Sequence, residues 1–149
     1  RQRSGARVQA SSLEQADPLH ASVVTLVNVL DQLADPLLAL ERCLGWLEAG
    51  GTLYARLPNG RVHALIMRLA DRLPVARRWL LGSTPLHLHV LGPDQVAAAA
   101  LGAGFSSVRV IMAPPHAAGR AARALLRSLA GRPVLTPSME LWARSPEQV

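Results

Sequence analysis

A chain of 149 residues, half of them apolar, is long enough for one domain with a buried core, which excludes a largely disordered protein. Its net charge of +6 comes from arginine without any lysine, which excludes Schiff-base chemistry. No apolar run approaches the roughly 20 residues of a membrane-spanning helix, and no basic-then-apolar leader resembles a signal peptide.

The cysteine and methionine positions give two further expectations. The single cysteine, Cys43, cannot form an internal disulfide, so we expect a reducing compartment, the cytoplasm. The chain begins at Arg1 and its first methionine is Met67, so we expect a fragment of a longer protein. The arginines are widely spread and aromatic side chains are few, so no nucleic-acid partner is expected.

The first half of the sequence predicts alternating strands and a helix. A short strand is predicted at 7–10, and a stronger one at 23–28, where the residues are apolar on both faces. Asp35 and Pro36 then supply an N-cap and a first-turn proline for a helix that we expect to end at Gly50. Four residues at helical spacing define its apolar face: Leu37, Leu40, Leu44 and Leu47. A strand at 52–57 follows and stops at the turn-forming sequence Pro58-Asn59-Gly60.

The second half continues the alternation. Helices are predicted at 61–73, at 75–81, from Gly92-Pro93-Asp94 to about Ala103, and at 117–130. Strands are predicted at 107–112 and 138–143. Elements that alternate in this way are typical of an α/β fold.

The ordered set of strands resembles the second half of a class I S-adenosylmethionine-dependent methyltransferase. In that family seven strands lie in the order three, two, one, four, five, seven, six, and the seventh is antiparallel. The resemblance makes 7–10 the third strand, 23–28 the fourth and 52–57 the fifth; 107–112 and 138–143 are the sixth and seventh. It implies an α/β, Rossmann-like methyltransferase sheet, mostly parallel with an antiparallel last strand and with its first strands missing. Residues 1–149 would be the C-terminal portion of a single methyltransferase domain.

The resemblance also implies S-adenosylmethionine as cofactor and methyl transfer to a small or medium acceptor. In the family, residues after the third strand flank the adenine, and here Ser11, Ser12 and Leu13 hold that place. The loop after the fourth strand would present Asn28, with backbone groups of Val29 and Leu30, to the cofactor. Ordinary strand-end packing is the alternative for these residues.

Several features depart from the family pattern. Ala21-Ser22 replaces a frequent Phe-Asp pair, and Asp31-Gln32 replaces a frequent Glu-His pair, which removes a titratable ring. No Gly-x-Gly-x-Gly turn occurs in the sequence, so we expect the isolated chain to be inactive and to bind S-adenosylmethionine weakly or not at all. A non-catalytic α/β interaction domain that has lost cofactor binding is the alternative hypothesis.

Histidines near the predicted strand ends are candidates for the acceptor side. His87 and His89 have the spacing that puts two side chains on one face of a strand, in a stretch that resembles the family's acceptor-side segment. His63 and Asn59, near the end of the strand at 52–57, are further candidates. A histidine there can take a proton from an acceptor hydroxyl or amine, although a structural hydrogen-bonded histidine is the alternative. Zinc would need at least one further ligand nearby, and although His63 and His116 are available, nothing in the sequence fixes their distance, so no metal is expected. No catalytic residue is assigned.

Overall fold

The computed structural model of this chain describes residues 12–13, 15–18, 20–72, 88–113, 136 and 138–147. The elements, in chain order, are β1 (Ala21–Val27), a short 3-10 helix (Leu30–Gln32), α1 (Pro36–Trp46), β2 (Leu47–Pro58), α2 (Gly60–Arg72), α3 (Pro93–Gly102), β3 (Ser107–Ala113) and β4 (Ser138–Arg144). The elements predicted at 7–10, 75–81 and 117–130 lie outside the described residues.

These strands form one mixed sheet in the order β1-β2-β4-β3. β1 runs parallel to β2, whereas β4 lies between β2 and β3 and is antiparallel to both. The sheet confirms the predicted Rossmann-like methyltransferase fold with an antiparallel last strand. Because β1 and β2 are parallel, the loops that leave their carboxyl ends meet at one edge of the sheet.

The core lies between one face of the sheet and helices α1 and α3. From Gly51 to Pro58, the residues of β2 alternate between buried and half-buried, as expected for a strand with one covered face. The fully buried side chains from the strands pack against those from the two helices: Leu53, Leu57, Met139 and Leu141 against Leu40, Cys43 and Val96.

Helix α1 begins as predicted and ends earlier. The Asp35 carboxylate accepts hydrogen bonds from the amides of Leu37 and Leu38, both at 3.0 Å, so Asp35 is the N-cap. The predicted end at Gly50 is wrong, since α1 ends at Trp46 and β2 begins at Leu47. Gly50 lies within β2 at a φ of 70°, and its amide donates to the Pro146 carbonyl at 3.1 Å. The glycine therefore permits an irregular strand start that pairs with the chain's end, and does not cap a helix.

The second face of the sheet carries more exposed side chains. Val23 and Val27 of β1 are 60% and 49% exposed, and Trp142 of β4 is 42% exposed. The rings of Trp142 and Tyr54 are tilted against each other with centroids 4.7 Å apart. Burial and the Glu140 carboxylate raise the pKa of Tyr54, against an opposing effect of the Arg56 guanidinium.

Candidate functional site

Asn28 occupies the first position beyond β1, in an unusual backbone conformation. Its φ is 54°, in the left-handed region that asparagine adopts more readily than most other residues with a side chain, and its side chain is exposed. The backbone amide of Asn28 donates to the Arg56 carbonyl at 2.8 Å, and this hydrogen bond fixes the turn against β2. The exposed carboxamide therefore stands on a fixed backbone at the carboxyl end of a parallel strand.

The next residues fasten this loop to the core. Leu30 and Asp31 are each 1% exposed, and Val29 is half-buried against the core cluster. The Gln32 side-chain amide donates to the Asp31 carboxylate at 2.9 Å. Leu30 is thus an anchor, and it can offer a ligand its backbone groups only.

The predicted residues near the amino terminus are partly described. Ser11 lies outside the described residues, whereas Ser12 is exposed and Leu13 packs against the core cluster. The Ser12 carbonyl accepts hydrogen bonds from the amides of Gln15 and Ala16, at 3.1 and 3.0 Å, so the segment turns there. Leu13 and Val29 pack against the same cluster.

On the predicted acceptor side, His63 and His89 line one small cavity of about 10 Å³ with Pro58, Gly60, Val90 and Leu91. His87 lies outside the described residues. Asn59 is fully buried, and its side-chain amide donates to the Thr136 carbonyl at 3.0 Å. Its side-chain oxygen accepts from the Arg61 amide at 3.1 Å, so Asn59 joins the start of α2 to the chain before β4.

A larger cavity of about 340 Å³ opens beside these histidines, between the first turns of α2 and α3. Its lining residues are Gly60, Arg61, Ala64, Val90, Gly92, Asp94 and Gln95. The Arg61 guanidinium forms an ion pair with the Asp94 carboxylate, which joins the two helix starts. Sequence reasoning missed this pair because 33 residues separate its members; the turn sequence before Gly60 and the helix start at Gly92 were the available signals.

The described residues also bear on two other types of site. Across the ranges given above, no helix is long and apolar enough to cross a membrane. In the same part of the chain, no three histidine, cysteine, aspartate or glutamate residues come together as a metal site.

Solved structures with the same fold include methyltransferases. A SAM-dependent methyltransferase from Archaeoglobus fulgidus is 14% identical with a TM-score of 0.56, over 89% of this chain and 63% of that one. The S-adenosylmethionine-dependent methyltransferase from Mesorhizobium loti is 15% identical with a TM-score of 0.58, over 90% and 67%. The [4+2]-cyclase SpnF is 16% identical with a TM-score of 0.53, over 93% and 55%.

These comparisons define the fold and its extent. The chain spans between 55% and 67% of the length of these three structures. No protein-family model matches the sequence, and the comparison with curated proteins gave no match. At this level of identity the similarity establishes a methyltransferase-like fold and no more. One protein with that fold, SpnF, is named as a [4+2]-cyclase.

Proposed function

We propose that this chain is the carboxyl-side part of an S-adenosylmethionine-dependent methyltransferase that acts on a small or medium acceptor. The observation that carries the proposal is the exposed Asn28 at the end of β1, in a sheet with the methyltransferase strand order. Asparagine is one of the few residues with a side chain that adopts the left-handed region readily, so this position can present a carboxamide where most other side chains are disfavoured.

Four described residues have the chemistry expected of one side of the cofactor site. Ser12 and Asn28 supply an exposed hydroxyl and an exposed carboxamide, which match the polar edge of a nucleobase. Leu13 and Val29 are half-buried apolar residues of the kind that pack on its flat faces. With Ser11 and the backbone of Leu30, they form the proposed cofactor side. Groups for the ribose hydroxyls would come from an amino-terminal part of the domain, so the isolated chain is expected to bind weakly.

The chain's own residues would position the acceptor and accept its proton. S-adenosylmethionine supplies an already activated methyl group when it is bound, so catalysis depends mainly on alignment and exclusion of water. His63 and His89 are the candidates to hold a proton from an acceptor hydroxyl or amine, with His87 as a third in sequence. The neighbouring cavity of about 340 Å³ is within the usual volume range of small-ligand sites.

Calorimetric titration with S-adenosylhomocysteine tests the proposal. We expect weak or no binding to the 149-residue chain, and clear binding to the protein expressed from its complete coding sequence. In that protein, Asn28→Gly removes the carboxamide but tolerates the left-handed backbone, and we expect about tenfold weaker binding. Ser22→Ala, at an exposed position near the other end of β1, is the control and leaves affinity unchanged. Asn28→Gly affinity equal to that of wild type would refute the role of Asn28.

The second candidate function is a non-catalytic interaction domain on the same sheet. Gln32 favours it, because its amide holds the Asp31 carboxylate where a titratable ring is frequent in the family. This hypothesis predicts no S-adenosylhomocysteine binding by the complete protein. Binding together with methyl transfer to any small acceptor would refute it.

The proposed location of the protein is the cytoplasm. Cys43, the chain's single cysteine, is a buried free thiol, as suits a protein of the reducing cytoplasm. The proposed partner is a small-molecule acceptor, and nucleic acid is not part of the proposal.

A further inference from the structure

Residues 88–91 run across the carboxyl edge of the sheet and contact the loops that follow both parallel strands. We call them the bridging segment. The His89 amide donates to the Asp31 carbonyl at 3.1 Å, in the loop after β1. The Leu91 carbonyl accepts from the Gly60 amide at 2.8 Å, at the start of α2. The segment thereby joins the proposed cofactor-side loop to the proposed acceptor side.

The His89 ring makes a second contact with the same loop. Its Nε2 lies 3.2 Å from the Ala34 carbonyl oxygen, which can only accept a hydrogen bond. Nε2 therefore carries the hydrogen and donates a hydrogen bond to the Ala34 carbonyl. In a neutral ring the lone pair is then on Nδ1, so Nε2 serves structure and is not available as a base.

Among the described residues, different contacts hold the two ends of the segment. Leu88 and Val90 are 68% and 53% exposed, whereas Leu91 packs against the core. Within the described part of the chain, apolar burial therefore fixes the segment at Leu91, and the two hydrogen bonds of His89 hold it to the β1 loop. The ring bond is the one that a side-chain substitution can remove.

We infer that His89 is a positioning residue that couples the β1 loop, residues 28–34, to the bridging segment. A ligand that further restrains the loop also restrains the segment, whose Val90 lines the cavity of about 340 Å³, and loss of the ring contact loosens both. The names of the two sides rest on the proposed function; the mechanical coupling itself does not.

A pair of isosteric substitutions tests the coupling in the ligand-free 149-residue chain. The glutamine amide reaches the position of the histidine Nε2, whereas the shorter asparagine amide reaches that of Nδ1. We expect His89→Asn to speed hydrogen–deuterium exchange of amides in both the β1 loop and the bridging segment by about fivefold. We expect His89→Gln to keep exchange within about twofold of wild type. His20→Ala, at an exposed histidine ahead of β1, is the control.

Two results would overturn the inference. One is unchanged exchange in the β1 loop of His89→Asn, and the other is equally fast exchange in His89→Asn and His89→Gln. Far-UV circular dichroism of each variant establishes that it is folded. If His89→Asn does not fold, His89→Leu takes its place, because leucine retains the bulk and lacks any donor.

A second arm separates this inference from the proposed function. In the protein expressed from its complete coding sequence, S-adenosylhomocysteine should slow exchange in the β1 loop and in the bridging segment. In His89→Asn it should slow the loop alone. Protection of both regions in His89→Asn would overturn the coupling. Absence of any ligand effect in wild type would overturn the proposed function, and the ligand-free comparison would still decide the coupling.

Discussion

Gly60 is the position where the structure predicts the sharpest effect of a single methyl group. A Cβ built there would lie 2.6 Å from the Leu91 carbonyl carbon and oxygen and 2.7 Å from the Val90 carbonyl carbon. Backbone atoms cannot rotate away as a flexible side chain can, so Gly60→Ala must push the bridging segment outward by about 1 Å to reach ordinary contact distance.

The expected cost follows from that displacement. The 2.8 Å hydrogen bond from the Gly60 amide to Leu91 would be lost or weakened, at about 1 kcal/mol. Overpacking typically costs about 1–3 kcal/mol, while replacing glycine by alanine in a helix recovers up to about 1 kcal/mol. We therefore expect Gly60→Ala to lower the free energy of unfolding by about 1–3 kcal/mol. Each kcal/mol corresponds to a fall in Tm of about 2–4 °C in a chain of this size.

Urea unfolding followed by circular dichroism measures this effect, with Gly45→Ala as the matched control. Gly45 lies in α1 and a Cβ there would meet nothing within 4 Å, so the same substitution should stabilise the chain by up to about 1 kcal/mol. The two variants should therefore shift the midpoint in opposite directions. If Gly60→Ala were as stable as Gly45→Ala, the close approach of the bridging segment to α2 would be refuted.

Three further predictions concern the core and the first helix. Asp35→Ala should cost about 1 kcal/mol in urea unfolding because two amides lose their cap, whereas Asp35→Asn should cost less than half of that; equal losses would argue against capping. Leu141→Ala, at a fully buried side chain, should cost about 2–5 kcal/mol, against less than about 0.5 kcal/mol for Leu101→Ala at a 54% exposed one; similar losses would contradict the assigned core. Burial raises the pKa of Cys43 from 9.0 to about 11, so its thiol should resist iodoacetamide at pH 8 in the folded chain and react in urea. Because the folded state then holds the proton more tightly, stability should fall as pH rises from about 9 to 11, by up to roughly 3 kcal/mol relative to Cys43→Ala; parallel pH profiles would contradict the burial.

The features of the fold that sequence predicted well are set by local chemistry. Asp35 followed by proline specifies a helix start through groups two and three residues away, and the structure has that cap. The apolar, β-branched composition of β1 specified a strand, and its observed bounds differ from the predicted ones by one or two residues. Gly50 was misleading, because its left-handed backbone serves equally well at a helix end and at an irregular strand start, and pairing with Pro146 decides between them.

The parts of the candidate site that sequence did not reveal depend on distant partners. The sequence predicts Asn59 as a ligand contact. In the structure its buried side-chain amide donates a hydrogen bond to the carbonyl of Thr136, which is 77 residues away in the sequence. The ring of His89 meets Ala34 across 55 residues, and no periodicity or spacing signals such a bond. The strand order could be inferred from the resemblance to the methyltransferase sheet, which spans the chain. The direction of each polar side chain at the sheet edge could not be inferred, because it depends on partners far away in the sequence.

The position of Asn28 explains why a remote contact can matter to a ligand. Core strands β2 and β4 carry fully buried side chains, but β1 has one described neighbour and two valines that are about half exposed. Among the described residues, the loop after β1 is held by the Asn28 backbone amide on Arg56, by the buried Leu30 and Asp31, and by the hydrogen bonds of His89. These contacts order the loop before a ligand binds, so each of them lowers the entropic cost of binding at Asn28. Loss of the His89 ring contact should accordingly weaken affinity at Asn28 although the two side chains do not need to touch.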